Sequence, residues 1–239
     1  MLIAGFRKTS FLDYPGQPCA VVFTPYCNMN CTYCHNADIL HGGVPLVPEE
    51  EVFAYLEKRM GTLPAVTVSG GEPTLQQDLI PFLAWLRAHG YRIKLDTNGL
   101  KPTVLQQVML RGLVDYVAMD VKASPDKYDA VARVQCDLAA IRRSIRLLQS
   151  SDLPHEFRTT FAPELTGEDI LGAADMVRGT GPAVMRICRR IRHPTCAKRP
   201  TACARRSAYA RFGGCESGRT PGVRPLLRKA GAPGGRKRA

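Results

Sequence analysis

The chain has 239 residues, 45% of them hydrophobic and 23% charged, and a formal net charge of +12; this composition suits one globular domain with a core of its own and a short appendage. No apolar run nears the ~20 residues of a membrane-spanning helix, and the opening MLIAGFRKTSFLDYPG has neither a long apolar stretch nor a small-residue cleavage site, so an integral membrane protein and a secreted precursor are both expected to be excluded. The charge sits at one end: residues 1–185 carry 17 Lys and Arg against 20 Asp and Glu, while residues 186–239 carry 16 against one, Glu216.

In chain order, residues 19–24 (CAVVFT) read as a buried strand running into a cysteine-rich loop. Pro48 and Glu49 open a helix with Val52, Phe53, Leu56 and Met60 on its apolar face. Residues 65–69 (AVTVS) form a second strand ending in Gly70-Gly71. Residues 77–89 are helical, with Leu79, Ile80, Leu83 and Leu86 inward and Gly90 closing the helix. A third strand (92–96) ends at Asn98-Gly99, and a helix follows over 103–111. A fourth strand (116–121), a helix (138–150) with Leu138, Ile141, Ile145 and Leu148 inward, a fifth strand (156–161) and a helix (168–178) complete the pattern.

Strand and helix alternate about every 25 residues, the signature of βα units and a parallel sheet. Five units are too few for a closed eight-unit barrel, so the expected fold class is α/β, an open, partial parallel βα barrel over residues 1–185. Functional residues then belong at the C-terminal ends of the strands. The pattern stops near Met185, apart from a short strand allowed at 183–187. Residues 186–239 are rich in Arg, Ala, Gly and Pro and are expected to be a disordered basic tail. Its abrupt bias also matches GC-rich DNA translated in a shifted frame, which resequencing codons 180–190 would test. As a polycation the tail could bind nucleic acid, yet it has few aromatics and no zinc-finger spacing; nucleic acid is not expected as a partner of the core.

Nine cysteines are unevenly placed. Cys27, Cys31 and Cys34 make a tight C-x3-C-x2-C cluster. In a chain of α/β pattern, such a triplet points to a metal centre. Three thiolates suit an iron–sulfur cluster with one iron left open. A structural zinc site using His35 as a fourth ligand and plain free thiols are the alternatives. Cys19 reads as a strand core residue and Cys136 as a free thiol.

Residues 27–36 (CNMNCTYCHN) resemble the signature of the radical S-adenosylmethionine (SAM) superfamily. The aromatic before the third cysteine, the following His-Asn and the upstream GFRKTSFLDYPGQPCAVVFT are most similar to the glycyl-radical-enzyme activases, in particular the activating proteins of anaerobic ribonucleoside-triphosphate reductase. The likeness covers residues 2–177. It implies that Cys27, Cys31 and Cys34 ligate a [4Fe-4S] cluster. SAM would bind the open iron and be cleaved reductively, and a hydrogen would be taken from a glycine of the partner enzyme, expected to be anaerobic ribonucleotide reductase. A flavodoxin- or ferredoxin-type electron donor and a cytoplasmic setting are implied as well. Tyr33 and His35 would help shape the SAM pocket. Gly70, Gly71 and Glu72 match the element that meets the SAM amino group, where residue type alone would suggest only a tight turn. Lys122 is assigned to the SAM carboxylate, Asp96 and Asp120 to a monovalent cation site, and Arg158 to a further anion contact or a structural ion pair. No catalytic residue beyond the cluster and SAM is expected. One departure is Tyr26, where relatives often carry Gly. The absence of a second substrate-domain pattern fits a substrate that is the backbone of a large partner. A small-molecule enzyme of the deazapurine-synthase kind is the alternative.

Overall fold

Short runs of β-branched and apolar residues, each cut off by Gly, Asn or Asp, build one seven-stranded sheet. The computed structural model describes residues 1–179 and 185–189. The strands are β1 (Gly5–Ser10), β2 (Cys19–Thr24), β3 (Ala65–Gly70), β4 (Arg92–Thr97), β5 (Tyr116–Asp120), β6 (His155–Phe161) and β7 (Met185–Arg189), each lying beside its neighbour in sequence. β1 is antiparallel to β2, and every later pairing is parallel. Among the described residues the linear order leaves β1 and β7 as edges, and the sheet is open. Parallel neighbours need crossovers. These carry α1 (Glu49–Arg59), α2 (Leu79–Ala88), α3 (Pro102–Leu110), α4 (Tyr128–Ala132), α5 (Leu138–Gln149) and α6 (Gly167–Met176). Among the described residues no helix is long and apolar enough to cross a membrane.

Alternation along each strand divides the sheet into two chemically different faces. Val66, Val68, Ile93, Leu95, Val117, Met119 and Phe157 face the helices and join one core with Leu56, Leu83, Leu86, Leu105, Ile141 and Leu148. Thr67, Lys94, Asp96, Asp120 and Arg158 fall at the alternate positions. At the lower part of that second face Tyr14, Cys19, Val21, Phe23 and Ala65 form a smaller apolar cluster, so its polar groups gather toward the C-terminal ends of the strands.

The five predicted strands are present with bounds shifted by a residue at most. β1 and α4 were not expected, while β7 overlaps the short strand allowed at 183–187. β1 is an edge strand bearing Arg7 and Lys8, a charge pattern that protects an edge and hides the alternation. α4 is a single short helix. β7 runs past the expected domain boundary at 185, and Arg186 pairs its Nε with Glu156 Oε2 at 3.0 Å on β6. Met60 does not turn inward: α1 ends at Arg59, Met60 lies in extended backbone, and its side chain is 46% exposed. Phe82, rather than Ile80, completes the buried face of α2. The basic tail beyond residue 189, including the expectations of disorder and of a shifted frame, lies outside the described residues.

Candidate functional site

The cysteine loop leaves β2 after Thr24 and is held from three sides. Tyr26 adopts φ 65°, a conformation strained for any residue with a side chain, and this gives a physical reason why glycine would be favoured at this position. Its N–H bonds Ile39 O at 3.0 Å. Asn30 N–H and Thr32 N–H donate to Ala132 O and Val131 O at 2.9 and 3.0 Å. These acceptors are carbonyls at the end of α4, which a helix terminus leaves without partners of its own. The unforeseen helix thus supports the loop. Tyr33 is buried with Ala123, Val131, Ala162, Leu165 and Ile170, so its ring anchors the loop, with Lys122 Nζ 5.9 Å from the ring centre. His35 is exposed.

The three thiols of the loop are half-buried, and they, Cys19 and Cys136 are free of disulfides. Burial pushes the Cys27 thiol up to about 11 against an opposing bond from Met29 N–H, and burial raises Cys31 and Cys34 too. Cys31 lies near enough to Cys27 and Cys34 to act on both electrostatically. Metal binding here would have to release thiol protons. Among the described residues no three His, Cys, Asp or Glu side chains close around a single ion position. A cluster asks for less, since each thiolate ligates a different iron. Three soft donors on one anchored loop, with Met29 N–H at 3.4 Å and Asn98 Nδ2 at 3.8 Å from Cys27 Sγ, fit that donor set.

Beside this loop, the turn after β3 has backbone room and nothing more. A Cβ on Gly71 would sit 2.0 Å from Tyr26 O, and one on Gly70, at φ +114°, would sit 2.4 Å from Thr24 N. Glycine at both positions lets Gly71 N–H reach Thr24 O and Glu72 N–H reach Tyr26 O, each at 2.8 Å. Glu72 then turns inward and is 1% exposed. Its Oε1 accepts from Thr74 N–H at 3.1 Å, Thr74 Oγ1 at 2.5 Å and Thr97 Oγ1 at 2.8 Å, and Oε2 accepts from Asn98 N–H at 2.7 Å. Burial raises this carboxyl above the usual range, and the donors from Thr74, Asn98 and Thr97 oppose the rise. Glu72 therefore ties the turn after β3 to the turn after β4. In Glu72→Gln, either amide orientation sets an NH₂ group against Thr74 N–H or Asn98 N–H, and one buried donor loses its acceptor. A loss of about 1–3 kcal/mol is expected, read by denaturant unfolding of the apoprotein; unchanged stability would contradict the cage.

Above Glu72 the polar face carries a ladder of charges. Asp120 stands beside Arg158 in the β5–β6 register, and Arg158 Nε meets Asp120 Oδ1 at 2.8 Å. The guanidinium reaches a strand further, with Nη1 3.2 Å from Asp96 Oδ2. Lys94 Nζ lies 2.5 Å from Asp96 Oδ1, and Lys122 Nζ lies 2.9 Å from Asp120 Oδ2. Ser69 Oγ also donates to Asp96 Oδ2 at 2.9 Å. Burial would raise both aspartates, but Arg158 first, then Lys94 for Asp96 and Lys122 for Asp120, hold them below the usual carboxylate range. Burial likewise opposes the charge on Lys122 and Arg158, yet Asp120 drives both upward.

The ladder pairs three cations with two carboxylates, which leaves one positive charge in excess among these five groups. That excess suits a carboxylate ligand. All four carboxylate oxygens of Asp96 and Asp120 face a cation or a hydroxyl, and Arg158 lies between the two side chains; the monovalent cation that the resemblance implies there would take the place of one of these partners. Arg158 is accordingly an ion-pair partner within this structure. Sequence reasoning missed Lys94, although Lys94-x-Asp96 repeats the spacing of Asp120-x-Lys122. It also missed Asn98 as a contact of the cysteine loop, a contact that depends on tertiary approach.

Comparison with known proteins places this arrangement. The pattern of the radical SAM superfamily matches residues 21–177. A candidate glycyl-radical enzyme activating enzyme of Methanocaldococcus jannaschii is 35% identical over 173 residues, which are 70% of this chain and 71% of the relative. The pyruvate formate-lyase-activating enzyme of Streptococcus mutans is 30% identical over 181 residues, covering 70% and 68%. The 7-carboxy-7-deazaguanine synthase of Koribacter versatilis is 37% identical over only 91 residues, covering 38% and 39%. Among solved structures, native anSMEcpe with bound AdoMet matches with TM-score 0.55 at 14% identity, over 69% of this chain and 49% of that one, a likeness of fold.

Proposed function

The chain belongs to the radical SAM superfamily, and from that premise we propose that it is an activase that installs a glycyl radical on a partner enzyme. The family's cofactors are a [4Fe-4S] cluster and SAM, which when bound supply the electron and the hydrogen-abstracting radical chemistry. The residues of this chain hold and orient them. Cys27, Cys31 and Cys34 offer the iron ligands. Lys122, held by Asp120 with Arg158 behind it, presents the excess positive charge to the SAM carboxylate. The turn at Gly70 and Gly71, locked by Glu72, offers a backbone edge beside the cysteine loop for the SAM amine. Apart from Tyr33, which is committed to anchoring the loop, and the exposed His35, the polar groups of the site line one end of the open sheet.

The observation that carries the activase reading is the extent of similarity. Two relatives named as activating enzymes align over about 70% of this chain, and a third, of Haemophilus influenzae, over 33%, whereas neither 7-carboxy-7-deazaguanine synthase passes 45%. As the finer reading we propose anaerobic ribonucleotide reductase as partner and a flavodoxin- or ferredoxin-type protein as electron donor. The upstream GFRKTSFLDYPG segment supports that choice. The test is EPR after anaerobic reconstitution and mixing with reductant, SAM and an anaerobic ribonucleotide reductase. A glycyl-radical doublet on the reductase is expected. SAM cleavage stimulated by a small purine analogue, with no doublet on any glycyl-radical enzyme, would overturn the activase reading.

A further inference from the structure

Asn98 follows β4 and is buried, with 4% of its surface exposed. Its N–H and both polar atoms of its side chain have partners. Its N–H donates to Glu72 Oε2 at 2.7 Å, and its Oδ1 accepts from Leu100 N–H at 3.0 Å. The Leu100 bond settles the side-chain orientation, because flipping the amide would set N–H against N–H. Nδ2 must therefore face the cysteine loop, where it lies 2.7 Å from Asn28 Oδ1 and 3.8 Å from Cys27 Sγ. Its two hydrogens match these two acceptors. The Asn98 amide thus comes from an element outside the cysteine loop and is held rigidly against a sulfur of that loop.

We propose that Asn98 is a positioning residue that tunes the iron–sulfur centre by donating a hydrogen bond to the Cys27 thiolate. The inference rests on the reading of Cys27 as an iron ligand. A donor aimed at a ligand sulfur favours the more negative, reduced state and raises the reduction potential. Reduction is the step on which SAM cleavage depends, so the amide makes the centre easier to reduce. Because Glu72 fixes the Asn98 backbone, the same contact links the Gly70-Gly71 turn to the ligand loop.

The test is a redox titration of reconstituted protein followed by EPR. Asn98→Leu keeps the size and removes the donor without adding a charge beside the sulfur. At full iron content, the reduced-to-oxidised ratio at the wild-type midpoint is expected to fall about tenfold, a shift of about 59 mV to more negative potential for one electron. A purely structural tie would alter iron content or melting without moving the midpoint, so a wild-type midpoint at full iron content overturns the proposal. Should the variant fail to take up iron, wild-type protein carrying ¹⁵N-labelled asparagine side chains decides by pulsed EPR. A hyperfine coupling from one side-chain nitrogen to the reduced centre supports the contact, and its absence overturns it. Cys27→Ala separates the two layers: iron retained there would show that the ligand assignment had failed, and not only the role of Asn98.

Discussion

Replacing Cys31 with alanine should abolish SAM cleavage while leaving the fold standing. The loop around Cys31 is held by main-chain bonds that the substitution does not touch: Asn30 to Ala132, Thr32 to Val131 and Cys34 N–H to Cys31 O. Tyr33 keeps its anchor among Ala123, Val131 and Leu165. Only one of the three proposed iron ligands is lost, and with it the proposed electron source. SAM-dependent formation of 5′-deoxyadenosine should fall by at least about 10³-fold, a small part of the ~10⁶-fold or more that enzymes supply. Iron content should fall with it, while the melting temperature of the apoprotein stays near that of the wild type. Cys19→Ala is the control with the opposite signature. Cys19 is fully buried in β2 and lies 3.5 Å from Thr67 Oγ1, and burial raises its thiol to about 11. Its loss should destabilise the fold and spare the iron. Retained cleavage in Cys31→Ala, or iron lost from Cys19→Ala, would reverse the assignment of these thiols.

What could be read in the sequence was what local pattern controls. The five strands and their helices follow from apolar runs punctuated by Gly90, Gly99 and Gly112. The ends of those strands located Glu72, Asp96, Asp120 and Arg158 at one end of the sheet. The pairing of those groups depends on register and reach. Arg158 lies beside Asp120 by register, but its contact with Asp96 spans two strands and cannot be counted off the sequence. β1 escaped because an edge strand carrying Arg7 and Lys8 lacks alternation, and α4 because five residues give too little periodicity to read. In the sequence, Asn98 with Gly99 marks only the end of a strand. Its turn bond to Leu100 is real, and the same side chain serves the cysteine loop.

The dependence of the ladder on Arg158 sets a second large effect, one that carries its own pH signature. Arg158→Leu leaves Asp96 and Asp120 without the cation between them, while Lys94 and Lys122 each still serve one carboxylate. Removing one member of a buried charge network typically costs about 3–5 kcal/mol. The side chains here are 14–30% exposed, so the loss at pH 7 should lie near the lower end of that range. In the wild type both aspartates are held below their unfolded values. Their stabilising contribution is therefore complete above about pH 4, the unfolded aspartate value, and fades as pH falls through the folded values. In Arg158→Leu the folded values rise toward or past the unfolded one, and that contribution is absent from the start. The gap between wild type and variant should thus be widest at neutral pH and narrow progressively below pH 4, measured by urea unfolding of the apoprotein. Arg158→Lys should recover only part of the loss, because one ammonium cannot fork between two carboxylates. A gap that stays constant from pH 7 to pH 3 would mean that Arg158 acts by packing, and the charge ladder would lose its claim to hold this end of the sheet together.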